Sequence, residues 1–147
     1  MNIAAQPPVQ ADQTIYLKDY QKPSFLVESI NLNIQVYDDH TIVDSTLVMQ
    51  RQTAGELVLL GRDLELKSVQ LNGQTLSAEQ YHLDTEQLVI TDAPDEVIVQ
   101  TQVIIHPESN TQLEGLYKAG DLFVTQNEPE GFRKITFYPD RPDVLAE

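Results

Sequence analysis

The chain has 147 residues, no cysteine and a formal net charge of −14, from 23 acidic and 9 basic residues. This length suits one domain with one hydrophobic core. The acidic excess disfavours nucleic acid and anionic membrane surfaces as partners, because both would repel the protein. The lack of cysteine excludes disulfides and thiolate metal sites and fits a reducing compartment, so we expect a cytoplasmic protein without a membrane segment.

The chain opens with a polar stretch and then shows a clear strand pattern. Residues 1–13 contain prolines and have no periodicity, so we expect a flexible leader there and a folded domain over residues 14–147. Apolar residues then alternate with amides, at Ile30, Leu32, Ile34 and Val36. This period of two predicts a half-buried strand, and the run from Thr41 to Met49 predicts its hairpin partner.

Several further short runs have strand character and are separated by turn residues. They are Glu56–Leu60, Leu64–Leu71, Tyr81–Asp84, Gln87–Thr91 and Val97–His106. We expect a slip in the alternation near Lys67 and Ser68, and a tight hairpin at Asn72-Gly73. No window of helical length shows a 3.6-residue period. The predicted fold class is therefore all-β, an antiparallel β-sandwich.

The segment from Leu113 to Val144 carries the candidate site. Its pattern predicts a strand, a carboxylate-bearing turn, a second strand and a proline-stiffened exit at Tyr138–Asp143. Gln126 closes the strand-like LFVTQ run, and Glu128 lies on the same side of the chain if the extended conformation persists. Such a carboxylate suits an ammonium ligand, although spacing alone is also compatible with solvated acids in a turn.

Other familiar chemistry is missing. The three histidines, at positions 40, 82 and 106, lack the spacing of a helical zinc motif. There is no glycine-rich phosphate loop and no G-x-S-x-G element. A complete set of catalytic residues cannot be assembled from these 147 residues.

Four stretches together resemble the aminopeptidase N family of zinc metallopeptidases. They are YLKDYQKPSF (16–25), LEGLY (113–117), TQNEPEGFR (125–133) and YPDRPDV (138–144). The resemblance covers essentially the whole chain after the leader and is strongest from Leu113 onward. It implies a saddle-shaped β-sandwich that forms the N-terminal part of a larger enzyme and is followed there by a thermolysin-like catalytic domain.

The resemblance also implies roles for two side chains. Glu128 would bind the free α-amino group of a peptide substrate, and Gln126 would line the pocket for the first side chain. Neither H-E-x-x-H nor G-x-M-E-N occurs in this sequence, so zinc is expected only in the full-length parent, bound by the missing catalytic domain. We therefore expect this chain alone to bind no cofactor and to be inactive, and its sandwich to stop before the last strands of the family's domain.

Two other interpretations remain open at this stage. The chain could be a stand-alone β-sandwich that binds a ligand through its loops without catalysis, because fold does not fix function. It could also be a purely structural domain, in which Glu128 would point into solvent from a mobile turn.

Overall fold

A computed structural model describes residues 16–146, so the predicted leader, residues 1–13, lies outside the described part. Two short 3-10 helices occur there, at Leu17–Asp19 and Phe132–Lys134. The strands are β1 (Phe25–Val36), β2 (Thr41–Arg51), β3 (Leu57–Leu60), β4 (Glu65–Leu71), β5 (Gln74–Thr75), β6 (His82–Leu83), β7 (Gln87–Ile90), β8 (Glu96–Ile105), β9 (Gly115–Ala119) and β10 (Leu122–Gln126).

The strands form three antiparallel sheets. A five-stranded sheet has the order β1-β2-β8-β4-β5, a three-stranded sheet has the order β3-β7-β6, and β9 and β10 form a two-stranded hairpin. The all-β, antiparallel prediction is confirmed. Between residues 16 and 146, no helix is long and apolar enough to cross a membrane.

The first strand is longer than the alternation predicted. The predicted hairpin pairs correctly, with Val36 opposite Thr41, but β1 already begins at Phe25. A register shift between Val27 and Ser29 separates the two halves of the strand. Such a bulge moves the buried side chains from odd to even positions, which hides the earlier half from a search for one continuous period of two.

Two local predictions in the middle of the chain are confirmed. The pairing of β4 with β8 shifts register between Leu66 and Ser68, where the alternation was expected to slip. Asn72 and Gly73 both have positive φ, 50° and 80°, and connect β4 to β5 as a two-residue hairpin turn. Positive φ at both central residues is the reason that Asn-Gly predicts such a turn.

One hydrophobic core joins the two larger sheets. The inner faces of β2 and β8 contribute Val43, Leu47, Val99 and Val103, each at most 1% exposed. From the three-stranded sheet, Leu57, Leu59 and Leu88 are fully buried in the same cluster. The two sheets therefore pack face to face and remove their apolar faces from water, as expected for a sandwich.

The segment after the site docks on β3 instead of forming a strand. Tyr138 and Leu60 exchange both backbone hydrogen bonds, at 2.8 and 3.0 Å, as one isolated bridge. Phe137 is 2% exposed, and its ring occupies the space in which a side chain on Gly61 would lie, 2.3 Å from an ideal Cβ. The predicted second strand is therefore wrong. The 3-10 helix of residues 132–134 breaks the extended run, and only one bridge to β3 remains.

The stretch that precedes β1 contacts the proline-rich exit. Arg141 donates to the carbonyl oxygen of Gln21 at 2.8 Å and pairs with Asp143 at 2.7 Å. Tyr20 donates its hydroxyl proton to Asp143 at 2.8 Å, which raises the pKa of the Tyr20 hydroxyl. Two of the sequence stretches that carry the family resemblance, far apart in the chain, thus meet in space.

A pH-dependent contact holds the end of β8. Nδ1 of His106 lies 3.1 Å from the carbonyl oxygen of Asp39 and 3.0 Å from the Glu108 carboxylate. The Glu108 contact, followed by the Asp39 contact, raises the pKa of the His106 imidazole above its ordinary value.

Because the folded pKa of His106 is raised, its stabilising contribution is fully present below the unfolded pKa and is lost as the pH rises through the folded pKa. We expect NMR titration of the His106 ring to show a pKa above that of an unstructured histidine. Glu108→Gln should lower this pKa, whereas Glu114→Gln should leave it unchanged. An unchanged pKa in Glu108→Gln would show that Glu108 is not the main cause.

Candidate functional site

The β9–β10 hairpin positions the predicted site residues. Its last pair sets Gln126 opposite Gly115, so the strand ends at Gln126 and the chain turns away over residues 127–131. The Gln126 side-chain amide donates to the backbone carbonyl of Glu128 at 3.1 Å. The structure therefore brings the two predicted residues together, and this contact fixes the amide beside the backbone that carries the carboxylate.

The carboxylate of Glu128 is exposed and available. Among residues 16–146, no hydrogen-bond or ion-pair partner of its carboxylate is found, although many other acids of the domain are paired. The peptide bond between Glu128 and Pro129 is cis. An unpaired carboxylate on the surface keeps its full capacity to accept hydrogen bonds from a cationic ligand.

A close backbone approach shapes the turn beneath Glu128. The amide of Gly131 donates to the carbonyl of Asn127 at 3.0 Å and closes the turn. An ideal Cβ on Gly131 would lie 2.1 Å from the Gln126 carbonyl oxygen and 2.7 Å from the Asn127 Cα. Gly131 has an ordinary φ of −82°, so the need for glycine arises from space and not from backbone conformation.

A second glycine packs the base of the hairpin against a buried lysine. Gly115 has a φ of 71°, and an ideal Cβ on it would lie 2.7 Å from the Cβ of Lys134 and 3.1 Å from the carbonyl of Gly131. The Lys134 side chain is only 4% exposed, and its Nζ contacts the Gln112 side-chain oxygen. Asp63 and Glu114 lie 3.5 and 3.6 Å from the same Nζ, so the buried charge is compensated.

A buried ion pair joins the turn to the exit of the segment. The Arg133 side chain pairs with Asp140 at 2.9 Å, and both side chains are 11% exposed. Asp140 also accepts from the Arg133 backbone amide at 3.1 Å, and the Arg133 guanidinium donates to the Asp140 carbonyl at 2.9 Å. Three hydrogen bonds between two residues fix their relative orientation, and Glu130 adds a longer contact to Arg133 at 3.6 Å.

One cavity of the domain lies away from the predicted site residues. It has a volume of about 260 Å³ and lies beside Lys134, with a mostly polar lining that includes Asp63, His106 and Gln112 but neither Gln126 nor Glu128. Within the described residues, no group of three or more histidine and carboxylate side chains could hold a metal ion. Within the described residues, Glu128 thus lies on an open surface.

Sequence reasoning predicted the two exposed residues as a site but did not predict the contacts that support their turn. Gly131, Lys134 and the Arg133–Asp140 pair were not predicted as parts of the site. The seven-residue spacing of Arg133 and Asp140 carries no periodic signal, since Arg133 lies in a 3-10 helix and Asp140 lies after the extended segment that follows it. Gly131 directly after a run of turn residues was the one available hint of a close approach.

No protein-family model matches the chain. Aminopeptidase N of Caulobacter vibrioides is 43% identical over 137 residues, which cover 91% of this chain and 16% of that protein. Aminopeptidase N of Escherichia coli is 39% identical over 139 residues, 93% of this chain and 16% of that protein. The chain thus spans about a sixth of the length of these relatives.

Solved structures show the same fold. Legionella pneumophila aminopeptidase A in complex with aspartic acid has a TM-score of 0.80 at 28% identity, over 88% of this chain and 16% of that one. The M1 zinc metallopeptidase of Deinococcus radiodurans has a TM-score of 0.70 at 19% identity, over 85% of this chain and 31% of that one, and at this identity supports the fold alone.

The fold and these similarities define an all-β domain of the aminopeptidase class. The chain belongs to the aminopeptidase N family, and its homology is to the N-terminal region of those proteins.

The steric requirement for glycine at position 131 can be tested by substitution. Gly131→Ala should lower the free energy of unfolding by about 1–3 kcal/mol, because the added methyl group overlaps backbone atoms of Gln126 and Asn127. The matched control is Gly120→Ala in the turn of the same hairpin, where no atom lies within 4 Å of the new methyl group and only the φ of 63° is unfavourable, at roughly 1 kcal/mol. Equal losses in urea denaturation would contradict the steric argument.

The buried ion pair should be a main support of the segment. Asp140→Asn leaves the Arg133 guanidinium buried without its carboxylate and should cost about 3 kcal/mol in the free energy of unfolding. Glu130→Gln removes only the longer, exposed contact to Arg133 and should cost less than about 0.5 kcal/mol. Urea denaturation measures both losses. Similar losses would show that the buried Arg133–Asp140 pair contributes no more to stability than the exposed contact to Glu130.

Proposed function

We propose that this chain acts as the N-terminal β domain of a larger zinc aminopeptidase and contributes substrate-binding groups to an active site completed by a catalytic domain. Glu128 binds the free α-amino group of a peptide, and Gln126 lines the pocket for its first side chain. The substrate is a peptide with a free N-terminus, in the cytoplasm. Zinc and its ligands belong to the longer protein, since these 147 residues contain no H-E-x-x-H motif.

The observation that carries the proposal is the unpaired carboxylate of Glu128 on a turn that is held by hydrogen bonds and a buried ion pair. The turn is closed by the Gly131 amide and bounded by the buried pair of Arg133 and Asp140. A binding group in such a turn loses little conformational entropy on meeting its ligand. Identity of 43% to an aminopeptidase N supports the choice of an amino group as that ligand.

A carboxylate at this position explains the selection of chain ends. An internal peptide amide offers no positive charge, so a carboxylate shielded from water by a covering domain would be left unpaired by such a substrate. An N-terminal ammonium restores the pair through charge-assisted hydrogen bonds. By binding the free N-terminus, Glu128 therefore positions the first peptide bond for cleavage.

Exposed apolar side chains on the hairpin that carries the site support a covering domain. Leu122 and Phe123 are 69% and 39% exposed at the turn end of β10, opposite the end that carries Gln126. Leu113, two residues before the strand partner of Gln126, is 57% exposed. Apolar surface next to a polar binding group is typical of an interface that forms a ligand pocket between domains.

The stand-alone binding module is the less supported alternative. Loops of a sandwich can bind ligands by themselves, but the site on this chain is open and the neighbouring cavity excludes Glu128. The similarity to aminopeptidase N over 91% of the chain favours the enzyme domain.

The proposal is tested in the full-length parent protein. Glu128→Ala should lower kcat/KM on unblocked aminoacyl substrates roughly 30-fold or more, because one partner of a shielded charge pair is lost. This factor corresponds to a loss of about 2 kcal/mol in transition-state stabilisation. Zinc content should not change. Glu130→Gln, two residues away on the same turn, is the matched control and should retain near-normal kinetics. Unchanged kinetics in Glu128→Ala would exclude the proposed role.

A further inference from the structure

A buried lysine lies directly after the turn that carries Glu128. Lys134 is the last residue of the 3-10 helix that follows this turn, and its side chain is only 4% exposed. Lysine is one of the residue types least often buried, because removing an ammonium group from water is costly unless other groups compensate it. Its burial beside the candidate site is therefore a costly feature of the fold.

The Lys134 ammonium group connects separate parts of the chain. Its Nζ contacts the side-chain oxygen of Gln112, in the loop before β9. The carboxylate of Asp63, between β3 and β4, lies 3.5 Å from the same atom. The carboxylate of Glu114, the residue before β9, lies 3.6 Å from it. The lysine thus links the loop before β9 and the β3–β4 connection to the 3-10 helix.

The Lys134 residue also contacts both ends of the turn. Its backbone amide donates to the carbonyl oxygen of Gly131 at 3.1 Å, and the Gly131 amide donates to Asn127 at 3.0 Å. The Lys134 Cβ lies 2.7 Å from the position of an ideal Cβ on Gly115, which is the strand partner of Gln126. The start of the turn, through Gly115, and its end, through Gly131, are therefore held against one residue.

We propose that Lys134 is a positioning residue for the Glu128 carboxylate. Its buried charge holds the loop before β9 and the 3-10 helix together, and the turn that starts beside one and ends at the other is fixed as a result. A binding group must be held within about 0.5 Å of its productive position by groups that are themselves fixed. This inference rests on the proposed function, since the position of Glu128 affects activity only if Glu128 binds the substrate.

The lysine charge can be removed without leaving another charge buried. The side chains of Asp63 and Glu114 are 71% and 53% exposed, so water can solvate both carboxylates when the ammonium group is absent. Methionine is unbranched, apolar and flexible, so it can fill the space of the lysine stem. Lys134→Met should therefore fold, while the loop before β9 and the 3-10 helix lose the group that connects them.

The first test measures the mobility of the turn in the 147-residue chain. NMR relaxation of the unmodified chain should give order parameters of about 0.85 for the backbone amides within residues 127–131. In Lys134→Met these values should fall toward about 0.6, while those of β2 and β8 stay unchanged. The matched control is Lys118→Met, which removes the same charge from β9, where Nζ lies 5.6 Å from the Phe123 ring centroid. It should leave the turn unchanged.

A second variant keeps every charge in place. Gln112→Ala removes the closest contact of the Lys134 ammonium group and leaves the lysine and both acids intact. It should raise the mobility of the same amides, by a smaller amount than Lys134→Met. This variant decides the question if Lys134→Met does not fold. Order parameters that stay unchanged over residues 127–131 in every variant that folds would overturn the proposal.

The second test measures activity in the full-length parent protein. Lys134→Met should lower kcat/KM on unblocked aminoacyl substrates about tenfold, because a displaced binding group no longer meets its ligand in the productive geometry. In Glu128→Ala/Lys134→Met, the lysine substitution should cause little further loss, since the group that it positions is already absent. Lys118→Met should retain near-normal kinetics. Losses that multiply in the double variant would show that Lys134 acts independently of Glu128, and would overturn the proposal.

The positioning role and the proposed function fail in different experiments. Unchanged kinetics in Glu128→Ala would exclude the binding role of Glu128, whatever the mobility of the turn. Unchanged order parameters, or multiplied losses in the double variant, would exclude the positioning role of Lys134 while the binding role of Glu128 stands.

Discussion

The docking of residues 132–138 on β3 is the constraint on which the candidate site depends. The hairpin of β9 and β10 is a separate two-stranded sheet, and such a hairpin has little stability by itself. The loop before β9 attaches it in part, through bonds from the Lys118 amide to Pro107 and from the Asn110 side chain to Leu116, and the segment that follows it provides further contacts. Tyr138 bridges to Leu60, Phe137 fills the space above Gly61, and the Arg62 amide donates to the carbonyl of Arg133 at 2.9 Å. The turn that carries Glu128 is thereby connected to the core through backbone contacts.

The distribution of basic residues explains why one carboxylate remains free in this segment. Arg133, Lys134 and Arg141 each contact acids that hold the segment in place. These three side chains form ion pairs within the segment or with neighbouring loops, and none of them contacts Glu128. In a chain with 23 acids and 9 bases, unpaired acids are unavoidable. What distinguishes Glu128 is therefore the set of contacts that hold its turn, which are the close packing at Gly131 and the Arg133–Asp140 pair, and not the lack of a partner alone.

The sequence predicted elements whose cause is local. The alternation from Ile30 to Val36, the slip at Lys67 and the Asn72-Gly73 turn all depend on neighbouring residues, and all three are confirmed. The early half of β1 and the absence of a second strand after Glu128 were missed. The first depends on a bulge that reverses the faces, and the second on a 3-10 helix at Phe132–Lys134 that interrupts the extended run.

The same division holds for the candidate site. Gln126 and Glu128 could be predicted as site residues from residue type and family resemblance, because these signals do not require knowledge of packing. The close approach at Gly131 had only a weak local signal, and the burial of Lys134 involves Asp63 and Gln112, which are distant in sequence, so no local pattern could reveal it. The conformation of the turn over residues 127–131 nevertheless depends on those contacts.

Exposure has different meanings at the two open surfaces of the domain. The β9–β10 hairpin exposes Leu122 and Phe123 and also leads into the turn that bears Glu128, so a surface that covers the whole hairpin must accommodate a charge. At β1, the exposed apolar residues alternate with uncharged amides, and no other strand among residues 16–146 pairs with the outer edge. Covering the first surface requires a cationic group, because a buried carboxylate without a cation is costly. Covering the second requires no charged group.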